Sequence, residues 1–288
     1  MRIGIFNLHN MCEHNTLFLS RAWRYFELND HHVIDGRMAG DEPDLFFIGG
    51  CAVTDVMRNR CEETIRKIME RHVRARVVIF GCLAAFPEIL LSLRSAENRL
   101  HLISFRESRR LDDLIRARIP FEGVAVNRLR GHVPYQPCMG SDDCYVLIAQ
   151  GCVNECSYCT IKKAKGTVVS RPEAAIEAEV RGLFSRGIET VTLLADDCGS
   201  YGYDRGTDLP SLLGRLCMSV PSMRFKIYTL FPSIFLRQAS ALELFFVQRR
   251  IPYLCLPVQS AAPGILDLMN RRYDPAELAE AVARIRRL

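Results

Sequence analysis

Four short apolar runs divide the first 120 residues: "IGIFNL" at 3–8, "DLFFIGG" at 44–50, "RVVIFG" at 76–81 and "LHLISF" at 100–105. Stretches of helical pattern lie between them. In "DVMRNRCEETIRKIME" (55–70), Val56, Cys61, Ile65 and Ile68 fall near one stripe and predict a helix. Strands alternating with helices build a parallel sheet, so this half reads as an α/β domain, a parallel α/β sandwich over residues 1–130. "RGHVPYQPCMGSDD", with two prolines and two glycines, reads as a linker, bounded at 131–143. A second β/α series fills 144–288, with strands expected at "YVLIA" (145–149), "TVTLL" (190–194), "FKIYTL" (225–230) and "YLCLP" (253–257). Ser170 and Glu173 have capping-box spacing ahead of a helix carrying Ile176, Val180, Leu183 and Phe184, and Gly187 stands where a C-terminal cap would. Such units suit a partial (β/α) barrel of about four repeats.

The 288 residues are 49% hydrophobic and 25% charged, with mean hydropathy near zero, the composition of a globular protein. No apolar run approaches the roughly 18 residues that cross a bilayer, so no membrane role and a cytoplasmic setting are expected. Twelve cysteines then need a reason, because the cytosol keeps thiols reduced and structural disulfides rare. Metal ligation is the leading one. A net charge of +5 permits contact with a polyanion without demanding it.

The cysteines fall in two sets. Cys12, Cys51 and Cys82 each follow a predicted strand of the first domain within a few residues. Loops after parallel strands share one edge of the sheet, where ligand sites form, so three thiols distant in sequence should converge. A single cysteine in such a place is more often a small buried hydrophobe; three in the same topological position argue for a ligand set. The second set is tighter: "GCVNECSYCT" (151–160) carries Cys152, Cys156 and Cys159 in the loop after the first strand of the second series. Structural zinc wants four ligands, and this loop offers three. A 4Fe-4S cluster on three thiolates keeps one iron open, which is what a catalytic cluster requires.

A CxxxCxxC loop followed by a β/α series resembles the radical S-adenosylmethionine (SAM) superfamily, and the three N-terminal cysteines resemble its methylthiotransferase branch. "MCEHN", "GGCAVT" and "FGCLA" are similar to the cluster-binding segments of that family's first domain; "GCVNECSYCTIKKAKG", "LLADDCGSYGYDRGTDLPSLL" and "LPVQSAAPGILDLMNRRY" are similar to successive barrel segments. The nearest type is the archaeal and eukaryotic one that modifies threonylcarbamoyladenosine in tRNA. The resemblance implies a radical SAM barrel, two 4Fe-4S clusters and SAM. Cys152, Cys156 and Cys159 would hold the cluster whose open iron chelates SAM, and the 5′-deoxyadenosyl radical would take hydrogen from carbon 2 of the adenine. Cys12, Cys51 and Cys82 would hold an auxiliary cluster that carries the sulfur. Asp196, Asp197, Gln259 and Ser260 are carried over as SAM-binding positions, with loop capping the alternative for the two aspartates and helix capping for Gln259; Tyr158, between two of the cysteines, is placed either to bind SAM near its adenine or to pack.

Implied partners are tRNA and an electron donor such as flavodoxin or ferredoxin. Lys162, Lys163, Lys165 and Arg171 form a basic run beside the cysteine loop, where a carboxylate or phosphate could approach. Relatives continue with two more β/α units and a small RNA-gripping barrel, whereas this chain ends at "ARIRRL". That leaves open a fragment, a partner chain completing the barrel, or a non-catalytic iron-sulfur subunit. Methylthiolation of a ribosomal-protein aspartate is the alternative activity. Cys61, Cys217 and Cys255 read as buried residues, and Cys138, Cys144 and Cys198 are left without a role.

Overall fold

A computed structural model describes residues 1–9, 11–38, 43–86, 88, 98–128 and 144–288. The chain divides into two compact units, Met1–Asp142 with Lys163–Lys165, and Asp143–Lys162 with Gly166–Leu288. The expected linker lies outside the described residues, as does Cys138.

The first unit runs β1 (Arg2–Asn7), α1 (Glu13–Leu28), β2 (His32–Asp35), β3 (Leu45–Gly50), α2 (Asp55–Arg71), β4 (Arg76–Gly81), β5 (Leu100–Ile103) and α3 (Arg109–Ile115). Its strands form one parallel sheet in the order β2-β1-β3-β4-β5, with Ile3 opposite Leu45 and Phe46 opposite Val77. Strand β3 is buried at every position and β4 at all but its first, which is why both read as unbroken apolar runs rather than alternating ones. The edge strand β2, "HVID", is half exposed and carries too few apolar residues to stand out in the sequence. On α2, Cys61, Ile65 and Ile68 are buried with Met69, while Val56, expected on the same stripe, is 76% exposed. Phe47, Phe80 and Phe105 form an aromatic core, ring centroids of Phe80 lying 5.2 Å from each of the other two.

The second unit runs β6 (Cys144–Leu147), β7 (Ala149–Gln150), α4 (Ile161–Lys165, whose last three residues group with the first unit), β8 (Val169–Ser170), α5 (Glu173–Phe184), β9 (Thr190–Leu194), α6 (Leu209–Ser219), β10 (Arg224–Ile227), α7 (Pro232–Val247), α8 (Pro263–Leu268) and α9 (Pro275–Arg286). Strands β10, β9 and β6 make a parallel sheet in that order. Val146, Leu193, Phe225 and Ile227 pack beneath α6 and α7 residues such as Leu212, Leu216, Phe235 and Leu242, all fully buried. The fourth expected strand contracts to one parallel bridge between Ile227 and Leu254. The run expected as a single strand at 145–149 breaks after Leu147, and β7 turns to pair antiparallel with β8.

The capping box expected at Ser170 and Glu173 does not form. Pro172 is the N-cap of α5 and no side chain caps it. Ser170 lies in β8, where its Oγ accepts from Gly202 N–H at 2.9 Å, and Glu173 instead accepts from the Thr207 hydroxyl at 2.8 Å. Gly187 does adopt a left-handed backbone, φ +80°, three residues past α5. Among the described residues no helix is long and apolar enough to cross a membrane.

Candidate functional site

In the first unit, Cys12, Cys51 and Cys82 follow the adjacent strands β1, β3 and β4, so the chain returns to one edge of the sheet at each cysteine. Local structure fixes each. Cys12 is the N-cap of α1, its Sγ accepting from Asn15 N–H at 3.4 Å. The start of α1 is tied to β1 by Asn15 Nδ2 donating to Asn7 Oδ1 at 2.8 Å and Asn7 Nδ2 donating to Thr16 Oγ1 at 3.1 Å. A Cβ on Gly49 would lie 2.7 Å from side-chain atoms of Asn15 and Leu19, so a larger residue there would displace the side chains that seat α1 on β3. Gly81, at φ +102°, swings the chain out of β4 into the turn that begins at Cys82. Burial pushes the Cys51 thiol up to about 12, and the neighbouring thiols Cys12 and Cys82 push it the same way.

In the second unit, Cys152, Cys156 and Cys159 line one cavity of about 370 Å³. The loop that carries them leaves β7 at Gly151, whose φ is +80°. A side chain there would meet Thr167 O at 2.4 Å, so glycine is required. Gly151 N–H donates to Asp196 Oδ2 at 2.9 Å. Cys152 Sγ accepts from Asn154 Nδ2 at 3.2 Å, and the Ser200 hydroxyl, which donates to Asp197 at 2.7 Å, lies 3.8 Å from the same sulfur. The far side of the loop is tied to the end of α8. Ser157 N–H donates to Met269 O, Ser157 Oγ to Leu268 O at 2.8 Å, and Asn270 Nδ2 to Glu155 O at 2.7 Å. Burial raises the Cys152 thiol, with the Asp197 charge adding to it, and burial raises the Cys159 thiol. Burial therefore favours the neutral thiol at Cys152 and Cys159, a preference that a bound metal cation reverses.

The carried-over positions separate on inspection. Tyr158, Asp196, Asp197 and Gln259 all line the cavity with the cysteines. Ser260 does not; its Oγ accepts from Ala262 N–H at 3.1 Å ahead of α8. Gln259 is exposed and holds a left-handed φ of +69°, a strained backbone of the kind that collects at ligand sites. Asp197 is 2% exposed and accepts four hydrogen bonds, from Gly199 N, Phe231 N, Ser200 Oγ and Asn154 Nδ2, at 2.7 to 3.0 Å. Burial pushes its carboxyl up, and the four donors pull against that. It therefore acts as a strut that positions the loop's neighbours.

The basic run is partly committed. Lys162, on the cavity wall, pairs with Glu155 at 2.6 Å, and Arg171 pairs with Glu179 at 2.7 Å. Cys198 is fully buried among the core residues, its Sγ 3.4 Å from Leu193 O, and Cys144 and Cys61 are likewise buried. Cys217 and Cys255, expected to be buried, are half-buried.

Sequence reasoning passed over Arg271, Asn154, Ser200 and Phe231. Arg271 is 3% exposed, lines the cavity and stacks on the Phe231 ring, 4.2 Å from its centroid. The paired arginines of "MNRRY" were a signal, but no periodicity distinguishes the buried one from its exposed neighbour. Among the described residues no three His, Cys, Asp or Glu side chains close on a single ion. A cubane spreads its thiolates over separate irons, and three cysteines around an open cavity fit that donor pattern.

Comparison with known proteins bears on this site. The sequence profile of the radical SAM superfamily matches residues 146–288. Curated relatives include a ribosomal protein uS12 methylthiotransferase of Protochlamydia amoebophila, 26% identical over 86% of this chain and 53% of its own length. A tRNA-2-methylthio-N(6)-dimethylallyladenosine synthase of Phocaeicola vulgatus is 28% identical over 96% of this chain and 65% of its own. A threonylcarbamoyladenosine tRNA methylthiotransferase of Danio rerio is 26% identical over 84% and 45%. This chain thus spans about half to two-thirds of these relatives. Among solved structures, a radical S-adenosylmethionine methyltransferase of Kitasatospora setae with cobalamin and a [4Fe-4S] cluster superposes over 99% of this chain and 67% of its own, with TM-score 0.59 and 14% identity, a likeness of fold.

Proposed function

The chain belongs to the radical SAM methylthiotransferase family, and from that premise we propose that it adds a methylthio group to a modified adenosine of tRNA, of the threonylcarbamoyladenosine type. The observation that carries the reading is the set of three cysteines from one loop on the wall of one open cavity. In this proposal Cys152, Cys156 and Cys159 hold a 4Fe-4S cluster, which when bound supplies the electron that cleaves SAM. The chain's own residues prepare the place. Asn154 and Ser200 orient Cys152, Arg271 orients Cys156, and Asp196 anchors the loop through Gly151. Tyr158 and Gln259 would border the bound SAM from their places on the cavity wall. Apolar walls such as Phe231 and Pro257 would keep water from the reacting atoms.

A second cluster on Cys12, Cys51 and Cys82, carrying the sulfur to be transferred, is part of the same proposal. Its support is the placement of all three after the adjacent strands β1, β3 and β4. The domain boundaries at 130 and 143 are proposed on the same footing. A flavodoxin- or ferredoxin-like donor would supply the electron. Methylthiolation of a ribosomal-protein aspartate is the second reading, favoured by relatives named as uS12 methylthiotransferases at 26% and 29% identity.

Anaerobic reconstitution tests the chemistry. The full chain should bind iron for two clusters and release 5′-deoxyadenosine from SAM under a strong reductant, and Cys152→Ala should abolish the release. A chain that binds no iron overturns the proposal. Mass spectrometry of tRNA nucleosides and of ribosomal proteins from a deletion strain decides between the two substrates by showing which one loses its methylthio group.

A further inference from the structure

Arg271 is a buried cation that, among the described residues, no carboxylate pairs. Its Nη1 donates to Tyr158 Oη at 3.0 Å and to Cys156 Sγ at 3.5 Å, and its Nη2 donates to Pro257 O. Its Nε has no hydrogen-bond partner although it is buried. Among the described residues no hydrogen bond or ion pair of Arg271 reaches a carboxylate. An unpaired charge taken out of water is costly, so a buried guanidinium ordinarily has a counter-anion. Glu155, Asp196 and Asp197 share the cavity wall, but each is engaged elsewhere. Glu155 pairs with Lys162, Asp196 accepts from Gly151, and Asp197 has its four donors.

We propose that Arg271 is the fixed counter-cation of the cluster held by Cys152, Cys156 and Cys159, a positioning residue that eases the cluster's reduction. The inference rests on the reading above that those cysteines hold a 4Fe-4S cluster. A cubane on three thiolates carries net negative charge and gains one more on taking up an electron. A neighbouring cation that is itself buried stabilises the reduced form more than the oxidised one, and an N–H bond to a ligating sulfur acts in the same direction. The guanidinium is well suited to this because it cannot lose its proton and is held on three sides by Tyr158, Pro257 and the Phe231 face. The bonds to Tyr158 and Cys156 tie the cysteine loop to the segment after α8.

The test is an EPR-monitored redox titration of the full chain, reading the reduced signal that changes when SAM is added. Arg271→Met removes the charge at similar volume, and Arg271→Lys restores it without the fork. Arg271→Met should take up its electron at least tenfold less readily, a downward shift of about 59 mV for a one-electron couple, and Arg271→Lys should recover at least half of that. A potential unchanged in Arg271→Met overturns the proposal, as does an Arg271→Lys value equal to that of Arg271→Met. If only the lysine variant retains iron, the need for charge is shown by iron content. If neither retains iron while circular dichroism reports a native fold, Arg271 is a packing element and the proposal falls. A wild-type chain that assembles no SAM-responsive cluster refutes the functional reading itself, a different result from any of these.

Discussion

Replacing Asp197 by alanine is the sharpest test of how the cysteine loop is held. The carboxylate is 2% exposed and takes a donor at four points. Two of the donors can find other partners. The Ser200 hydroxyl can rotate toward Cys152 Sγ, 3.8 Å away, and Asn154 Nδ2 already donates there at 3.2 Å. The backbone N–H groups of Gly199 and Phe231 cannot turn. Each buried donor left unsatisfied costs about 1–3 kcal/mol, so the pair predicts about 2–6 kcal/mol. Relief of burying a charge offsets part of that, leaving about 2–4 kcal/mol against the roughly 5–15 kcal/mol that stabilises a domain. Asp197→Asn should lose less, about 1–2 kcal/mol, because its carbonyl can still accept both backbone donors. Urea unfolding followed by circular dichroism reads the loss. Trp23, the single tryptophan, lies in the first unit and reports on that unit by fluorescence. Equal losses for the alanine and asparagine variants, or no loss for either, would refute the claim that the two backbone donors need this acceptor.

Three further outcomes follow from the geometry. Gly151→Ala should destabilise the second unit by at least about 1–3 kcal/mol from backbone strain, its φ being +80°, with the clash of the added Cβ on Thr167 O adding to it; differential scanning calorimetry would register it as a lowered transition. Cys198→Ala should cost about 1 kcal/mol for the small void and leave iron per chain unchanged, because Cys198 is wholly buried in the core and its thiol is pushed up to about 12 by that burial. Tyr25 donates to Asp112 Oδ1 at 2.8 Å, and burial raises its phenol well above the ordinary value. The folded chain then holds a proton that the unfolded chain loses near pH 10. This contribution is intact below pH 10 and is lost as pH rises above it, so Tyr25→Phe should flatten the alkaline limb of a stability-against-pH curve, and an unchanged limb would contradict it.

What could be read from the chain beforehand follows what each signal encodes. Strands β3 and β4 were plain because burial on both faces demands unbroken apolar residues, whereas β2 at the edge has no such demand and was missed. The capping box failed at Ser170 because tertiary donors claimed it: a hydroxyl that can accept from Gly202 across the fold is not free to cap its own helix. The placement of both cysteine sets after strands was legible because it is set by topology, which alternation reveals. Arg271 was not legible, because its role depends on burial by chain segments far from it in sequence. The cation–π face comes from Phe231 and the sulfur from Cys156, 115 residues away. Spacing can locate cysteines that share a loop, but a cation assembled against the α8 exit, the β10–α7 turn and the cysteine loop exists only once the second unit has folded. For that reason the residues that tune such a site are where a substitution should alter its potential while every cysteine stays in place.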